Sequence, residues 1–370
     1  MIRKSIYVRM MLVIEMNIIF SYIYIVFFTF SLTSISRKRF EQMLPFTFII
    51  SALSLFLSQF IFKTFIVGFI LCLIFSIVFL IKELFIDKNK IKDLKTKYLS
   101  KGFFIFSLLY LLVIIYDFNR SFTHWDELSH WGKMVKEMFR LDNFYSVKNA
   151  NLLVHKDYPP MISLLQLFFT YLSGGFNEIY LIRILHLFEG SLIISFIPLS
   201  NDKCKNLIYK SYFSVILVFL LTLLFDTALV VNSIYTDYVM ALLAAYIIVN
   251  IFRIKRITYK NLIALSILNV FLLLTKQMSI AFYLLILFVF LVKLLFTKEN
   301  RNLMTIIKSI IFMIIIPIIF YFMWSFYIKS LGIVGQFDLS KLKVEEFIGI
   351  AQGTLGESWQ RKTIINFGFA

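Results

Sequence analysis

The stretch Met161–Ser173, MISLLQLFFTYLS, decides how this chain meets a membrane, because it reads either as a short span or as a helix lying on the surface. Its thirteen residues would rise only about 20 Å as a helix, whereas the hydrocarbon core of a bilayer is about 30 Å thick. Prolines 159–160 precede it and glycines 174–175 follow it, which is typical of a helix start and end. Its polar residues recur at helical spacing: Ser163, Gln166, Thr170 and Ser173. The pattern predicts an amphipathic helix that lies flat at the membrane interface.

The positions of the basic residues favour the same interpretation. Cytoplasmic loops of membrane proteins collect Lys and Arg, and the segment Lys82–Lys101 carries seven lysines, so we place it inside. If residues 161–173 crossed the membrane, three later basic loops would lie outside: 200–211, 253–260 and 297–302. If 161–173 stays on the outer surface, those loops lie inside. Residues 119–178 then form one large outer loop.

Composition supports a polytopic membrane protein of the all-α class. The 370 residues are 60% hydrophobic, a larger apolar fraction than soluble proteins have, and their mean hydropathy is +0.85. The formal net charge is +17. Because the basic residues lie in the loops between apolar runs, membrane topology explains this charge better than nucleic acid as a partner. We expect about ten transmembrane helices, from apolar runs near 11–33, 44–62, 65–81, 103–118, 179–199, 212–232, 238–252, 261–275, 279–296 and 303–328.

Three regions follow from these runs. Residues 1–102 are expected to hold N-terminal transmembrane helices, 103–330 a transmembrane core that contains the outer loop, and 331–370 an extracytoplasmic tail. Arg3, Lys4 and Arg9 would lie outside, against the positive-inside rule. Either the first run does not cross or one of the next two is re-entrant, and the sequence leaves this open. It also leaves open whether the chain is complete at Ala370.

A second amphipathic interface helix is predicted within the outer loop, at His124–Leu141. On a helical projection its apolar side holds Trp125, Leu128, Trp131, Val135, Met138 and Phe139. Asp126 and His130 lie one turn apart on the polar side, and Glu127 lies at the border. The helix would lie at the outer interface with its tryptophans among the lipid headgroups.

Three segments together resemble a known family. They are WDELSHWGKMVKEMFRLDNFY from Trp125, HKDYPPMISLLQLFF from His155, and NEIYLIRILHLFEGSL from Asn177. An Asp-Glu pair in the large outer loop, a Tyr-Pro-Pro element and an Arg at the next span resemble the GT-C glycosyltransferases, in particular protein O-mannosyltransferases and lipid A aminoarabinose transferases. The resemblance covers residues 103–330, with three apolar runs before it. It implies a GT-C-like fold and transfer of a sugar from a polyprenyl-phosphate donor.

The resemblance and the residue chemistry give a candidate catalytic group. Asp126 corresponds to the first acid of the pair and is expected to act as the base or to anchor the acceptor, because the acceptor hydroxyl must lose a proton. Glu127 would assist or bind a sugar hydroxyl. His130 would hydrogen-bond Asp126 or titrate itself, and a satisfied interface histidine is the plainer interpretation.

Candidate groups for the donor phosphate are basic. Arg183 could hold a phosphate in a bidentate manner, and Lys276 lies where basic residues are scarce, although both also suit ordinary anchoring. His155 and Lys156 could frame the carrier phosphate. Asp237 corresponds to a second outer acid of the resembling enzymes and could bind the acceptor or a divalent ion, or simply favour a helix N-terminus.

The sequence therefore predicts a membrane glycosyltransferase of the bacterial plasma membrane, with an extracytoplasmic active site. Its substrates would be a polyprenyl-phosphate sugar donor and a glycan, lipid or protein acceptor, in contact with membrane lipid. No cofactor is required by this chemistry, although a divalent cation remains open. The alternatives are a cell-surface polysaccharide polymerase and a lipid-linked sugar transporter or flippase. A transporter is expected to show related halves and helices broken at the midplane, which this sequence lacks.

Overall fold

The computed structural model describes residues 2–86, 94–196, 233–254, 256–296 and 303–333, with side chains from residue 17 onward except at 78–86 and 94–95. These residues form helices and connecting loops, with no β-strand among them. The predicted run 212–232 and the tail beyond residue 333 lie outside the described residues. The helices are α1 Ile2–Ser36, α2 Phe40–Phe62, α3 Ile66–Ile86, α4 Lys101–Tyr116, α5 Gly132–Leu141, α6 Met161–Leu172, α7 Glu178–Ile194, α8 Thr236–Arg253, α9 Tyr259–Leu273, α10 Ser279–Phe296 and α11 Leu303–Ser330.

Five helices in the described part of the chain are long and apolar enough to cross a membrane. They are the Asn17–Ser36 part of α1, together with α2, α8, α10 and α11. Helices α4 and α9 have 16 and 15 residues, which gives a rise of about 23 Å, short of a hydrocarbon core. The all-α class and the multi-pass membrane character are thus supported, whereas the count of about ten spans is not.

Local sequence signals explain several helix ends. Helix α7 begins where the Asn177 side chain accepts a hydrogen bond from the backbone N–H of Ile179 at 2.9 Å. Helix α2 ends at Lys63, which adopts a left-handed conformation, and Gly174 does the same two residues after α6. The predicted ends of α6, at Pro160 and at the glycine pair, are therefore confirmed.

Hydrogen bonds gather many helix ends at one end of the bundle, which we call the loop end because residues 118–160 lie there. Gln59 near the end of α2 bonds Asn143, and Glu178 at the start of α7 accepts from the backbone of Phe122. Leu274, directly after α9, accepts from Met161 at 2.9 Å. Glu127 accepts from Ile234, just before α8. At the opposite end, Arg253 of α8 bonds the carbonyl groups of Ser195 and Phe196 after α7.

The polar stripe of helix α6 does not face solvent, as the prediction of an amphipathic interface helix required. Residues Met161–Thr170 are buried, enclosed by α1, α2, α5 and α7. Its polar stripe makes internal bonds instead of facing water: Gln166 donates to the carbonyl of Leu181, and Thr170 donates to that of Gln166. Ser, Thr and Gln side chains can hydrogen-bond to backbone carbonyl groups as readily as to water. A polar stripe in the sequence therefore does not distinguish a buried helix from a solvent-exposed one. This packing also joins the predicted regions 1–102 and 103–330 in one core.

The segment His124–Leu141 is helical, but its buried side differs from the prediction. Residues Glu127–Trp131 form a π-helical turn that leads into α5. Trp125 is 79% exposed and Leu128 is 54% exposed, whereas Glu127 and His130 are buried. The buried face shares Trp131, Val135 and Met138 with the predicted one, but it takes in Glu127, His130 and Met134 in place of Trp125, Leu128 and Phe139.

Candidate functional site

The strongest polar grouping at the loop end contains Asp126, His130, His155, Tyr158, Tyr235, Asp237 and Lys276, which we call the loop-end cluster. It draws on the turn before α5, the loop before α6, the first turn of α8 and the connection between α9 and α10. Gln277 donates to the Asp157 carboxylate at 2.6 Å, and Trp324 of α11 donates to the Asp157 carbonyl at 3.1 Å. These bonds hold the connection after α9 against the loop before α6.

Two of the predicted residues form an ion pair. The Lys276 Nζ lies 2.8 and 2.9 Å from the two carboxylate oxygens of Asp237. Their side chains are 20% and 46% exposed, respectively, so the pair borders solvent instead of lying in the core. An ammonium group with three donors can keep Asp237 and still bind an incoming anion. The sequence analysis predicted both residues on the same side of the membrane, and in the structure they are in contact.

Asp126 is half-buried and faces two phenols. Burial, then the charge of Asp126 and a hydrogen bond to it, raises the pKa of Tyr235 to about 12. Burial, then the charges of Asp157, Asp126 and Asp237, raises the pKa of Tyr158 to about 12. Both phenols therefore keep their protons at neutral pH and serve as hydrogen-bond donors. The charges of Asp126 and Asp237 thus act on the same two phenols.

His130 and His155 form a pair of packed imidazoles. Their ring centroids are 4.4 Å apart, and the ring of Tyr158 lies 4.3 Å from that of His155. His155 adopts a positive φ of 57°, an uncommon conformation for a residue with a side chain. Such backbone conformations cluster at functional sites.

Of the interpretations given for His130, its surroundings favour the plainer one, a histidine whose hydrogen bond is satisfied locally. Its Nδ1 lies 2.9 Å from the Ser129 hydroxyl. Burial, then the charges of His155 and Lys276, lowers the pKa of His130 to about 3. The imidazole is therefore neutral across the physiological range and does not titrate near pH 7.

Glu127 is turned inward and is already fully engaged. One carboxylate oxygen accepts from the backbone N–H groups of Thr123 and His124, at 2.9 and 3.0 Å. The other accepts from Ile234 at 3.1 Å, across more than one hundred residues of sequence. Glu127 is 1% exposed, so it is placed to fix the loop and the start of α8 instead of meeting a sugar hydroxyl.

The structure places Arg183 apart from the loop-end cluster. This residue is 5% exposed, and its Nη2 donates to the carbonyls of Ile114 and Asp117 at the end of α4, at 3.3 and 3.5 Å. A guanidinium there meets the negative end of the α4 dipole. Lys156 is half-buried beside His155, with its carbonyl bonded to the Ser146 hydroxyl.

Sequence reasoning missed Tyr235 and the linking role of Asp157. Tyr235 lies two residues before Asp237, and Asp157 lies directly before Tyr158, so proximity to predicted site residues was the available signal. Within the described ranges, no three His, Cys, Asp or Glu side chains are arranged to hold a metal ion. The cluster combines two carboxylates, one ammonium group, two phenol donors and two imidazoles, which suits proton abstraction beside an anion-binding group.

Comparisons with protein-family models, with curated proteins and with solved structures find no match to this chain.

Proposed function

We propose that this chain is a membrane glycosyltransferase that moves a sugar from a polyprenyl-phosphate donor to an acceptor hydroxyl, on the outer face of a bacterial plasma membrane. The observation that supports it most is the solvent-bordered Asp237–Lys276 pair beside Asp126 in a helical membrane protein. A sugar on a lipid phosphate is already activated. The protein then needs only a base and a cation for the departing phosphate.

The proposed reaction is an inverting displacement. Asp126 accepts the proton of the acceptor hydroxyl as the acceptor oxygen attacks the anomeric carbon. The bond between that carbon and the phosphate oxygen breaks, and its electron pair leaves with the phosphate. Lys276 stabilises the negative charge that develops there, while Asp237 holds the ammonium group in place. The Tyr235 hydroxyl orients the Asp126 carboxylate.

Other predicted residues take supporting roles in this proposal. In this proposal His155 and Lys156 frame the carrier phosphate, while His130, whose ring packs against His155, is neutral. Glu127 acts as a positioning residue through its three backbone partners. Arg183 lies with the end of α4 and has no part in the transfer step.

The test is transfer by purified protein in lipid vesicles supplied with radiolabelled polyprenyl-phosphate sugars and an envelope acceptor fraction. Asp126→Asn is expected to lower turnover by about 100-fold or more, the usual contribution of a general base. Lys148→Ala is the matched control, because Lys148 is exposed in the same loop. Unchanged turnover in Asp126→Asn would remove the proposed role.

The same vesicles separate the alternatives. A polysaccharide polymerase would accept whole lipid-linked repeats and ignore single lipid-phosphate sugars. A transporter or flippase would move labelled lipid across the bilayer without forming a glycan product. Either outcome would contradict the proposed transfer.

A further inference from the structure

Two basic segments that are distant in the sequence meet at the end of the bundle opposite the loop end. The connection between α1 and α2 consists of three consecutive cations, and α4 begins with a fourth. We call these four residues the basic patch: Arg37, Lys38, Arg39 and Lys101. Helix α2, with 23 residues, runs from the patch to the loop end and separates the two by about 30 Å. The basic patch is therefore distinct from the loop-end cluster.

Direct contacts join the two segments. The hydroxyl of Ser100 donates a hydrogen bond to the carboxylate of Glu41, and Gly102 packs so closely against the same side chain that an added Cβ would clash with it. Lys101 therefore lies between two residues that contact Glu41, which itself follows Arg39 by two positions. Two ring pairs add to this contact, with centroids 5.3 and 5.4 Å apart: Phe30 with Tyr98, and Phe40 with Phe103.

The basic patch combines four cations with one buried carboxylate. Glu41, the acid that joins the two segments, is 2% exposed, whereas Arg37 and Lys101 are exposed and Lys38 and Arg39 are half-buried. With four positive charges and one negative charge, the patch and Glu41 together carry a formal charge of +3. Burial lowers the pKa of Lys38 below its ordinary value, because its ammonium group has lost part of its hydration. An anion beside the patch would be complementary to this charge.

Exposed apolar side chains lie directly beside these cations. Ile35 is exposed two residues before Arg37, and Leu99 is exposed two residues before Lys101. Helices α1 and α2 are long and apolar enough to cross a membrane, so the connection between them lies at its surface. From the patch, helix α4 continues as one exposed apolar stripe at helical spacing: Phe104, Leu108, Leu111 and Ile115. A phospholipid offers a phosphate and alkyl chains in one molecule and so matches both parts of this surface, whereas a free phosphate matches only the charge.

We propose that the basic patch binds the phosphate of an anionic phospholipid, in the leaflet that meets this end of the bundle. Arg39 and Lys101 supply one cation from each segment, so the phosphate is held between the α1–α2 connection and the start of α4. The guanidinium group can donate two parallel hydrogen bonds to phosphate oxygens, and the ammonium group acts as a point charge. The alkyl chains lie along the exposed stripe of α4, beginning at Phe104. This lipid site does not depend on the transferase reaction.

Native mass spectrometry of the full-length protein tests this site, by titration with phosphatidylglycerol or with phosphatidylcholine of the same chain length. The wild-type protein should bind phosphatidylglycerol more tightly. Arg39→Gln and Lys101→Gln should each weaken that binding about fivefold, the contribution of one cation beside an anionic lipid, and leave phosphatidylcholine binding unchanged. Lys260→Gln is the matched control, because Lys260 is an exposed lysine at the same end of the bundle. Equal affinity of the wild-type protein for the two lipids, or the same loss in Lys260→Gln, would overturn the proposal.

Two measurements on the wild-type protein keep the test decisive if a variant does not fold. A phosphatidylglycerol with a photoreactive group on its headgroup should label peptides that contain residues 37–41 or 97–104. Labelling confined to other peptides would overturn the site. Soluble glycerol phosphate at the same concentration as the lipid should leave phosphatidylglycerol bound. Displacement of the lipid would show that the patch takes a free phosphate, and would contradict a phospholipid as its ligand.

Discussion

Replacing Glu127 should destabilise the protein even though it lies beside the proposed catalytic residue. Its carboxylate accepts three backbone N–H groups and is 1% exposed. Glu127→Ala leaves all three donors without a partner, at about 1–3 kcal/mol for each buried group. Because Thr123 and His124 lie nearer the surface and can regain water, we expect a total loss of about 3–5 kcal/mol. Glu127→Gln keeps one acceptor oxygen, and if that oxygen takes the position bonded to Thr123 and His124, only the bond to Ile234 is lost, at about 1–3 kcal/mol.

Thermal unfolding in detergent or nanodiscs measures the relative stability of these variants directly. Leu128→Ala is the matched control, since the next residue is 54% exposed and its truncation opens no cavity. The expected order of stability is wild type close to Leu128→Ala, then Glu127→Gln, then Glu127→Ala. If Glu127→Ala melted at the same temperature as Leu128→Ala, the carboxylate would not be holding Ile234 against the turn before α5, and the positioning role would be refuted.

Two more predictions concern the same region. The pKa of His130 is about 3 in the folded protein and about 6.5 in the unfolded chain, so the stability that the neutral imidazole contributes is complete above pH 6.5 and is lost as the pH falls toward 3. His130→Gln should therefore lose less stability than the wild-type protein between pH 7 and pH 4. Equal losses in the two proteins would contradict the buried neutral imidazole. Gly174→Ala should lower the free energy of unfolding by about 1–2 kcal/mol, because Gly174 has a φ of +71°. Gly175 has no positive φ and an added Cβ there meets open space, so Gly175→Ala should melt like the wild-type protein. Equal effects of the two changes would contradict the left-handed helix end.

The sequence predicted the features that depend on local chemistry. The limits of α6 follow from its flanking prolines and glycines, and the helical character of 132–141 follows from its apolar spacing. Asp237 at the start of α8 and Lys276 between two apolar helices were also placed correctly along the chain, since a charge interrupts an apolar run visibly. Their contact with each other was not predictable, because spacing in the sequence does not encode the approach of α8 to the end of α9.

The features that were missed depend on distant partners. Glu127 turns inward because the backbone N–H of Ile234 reaches it, and that turn of the helix moves Trp125 and Leu128 outward. Helix α6 is buried because α1, α2, α5 and α7 surround it, although its stripe of Ser, Gln and Thr looks the same as a solvated face. Arg183 meets the carbonyl groups at the end of α4, a partner that only the packed helices provide.

The central claim is that Asp126 and Lys276 face the same compartment, on the opposite side of the membrane from the basic loops. In a Cys72→Ser, Cys204→Ser background, single cysteines at positions 126, 276 and 260 can be labelled in intact cells with a membrane-impermeant thiol reagent. Asp126→Cys and Lys276→Cys should both react from outside, whereas Lys260→Cys, exposed at the start of α9, should react only after the membrane is permeabilised. Labelling of positions 126 and 276 from opposite sides would contradict the shared site.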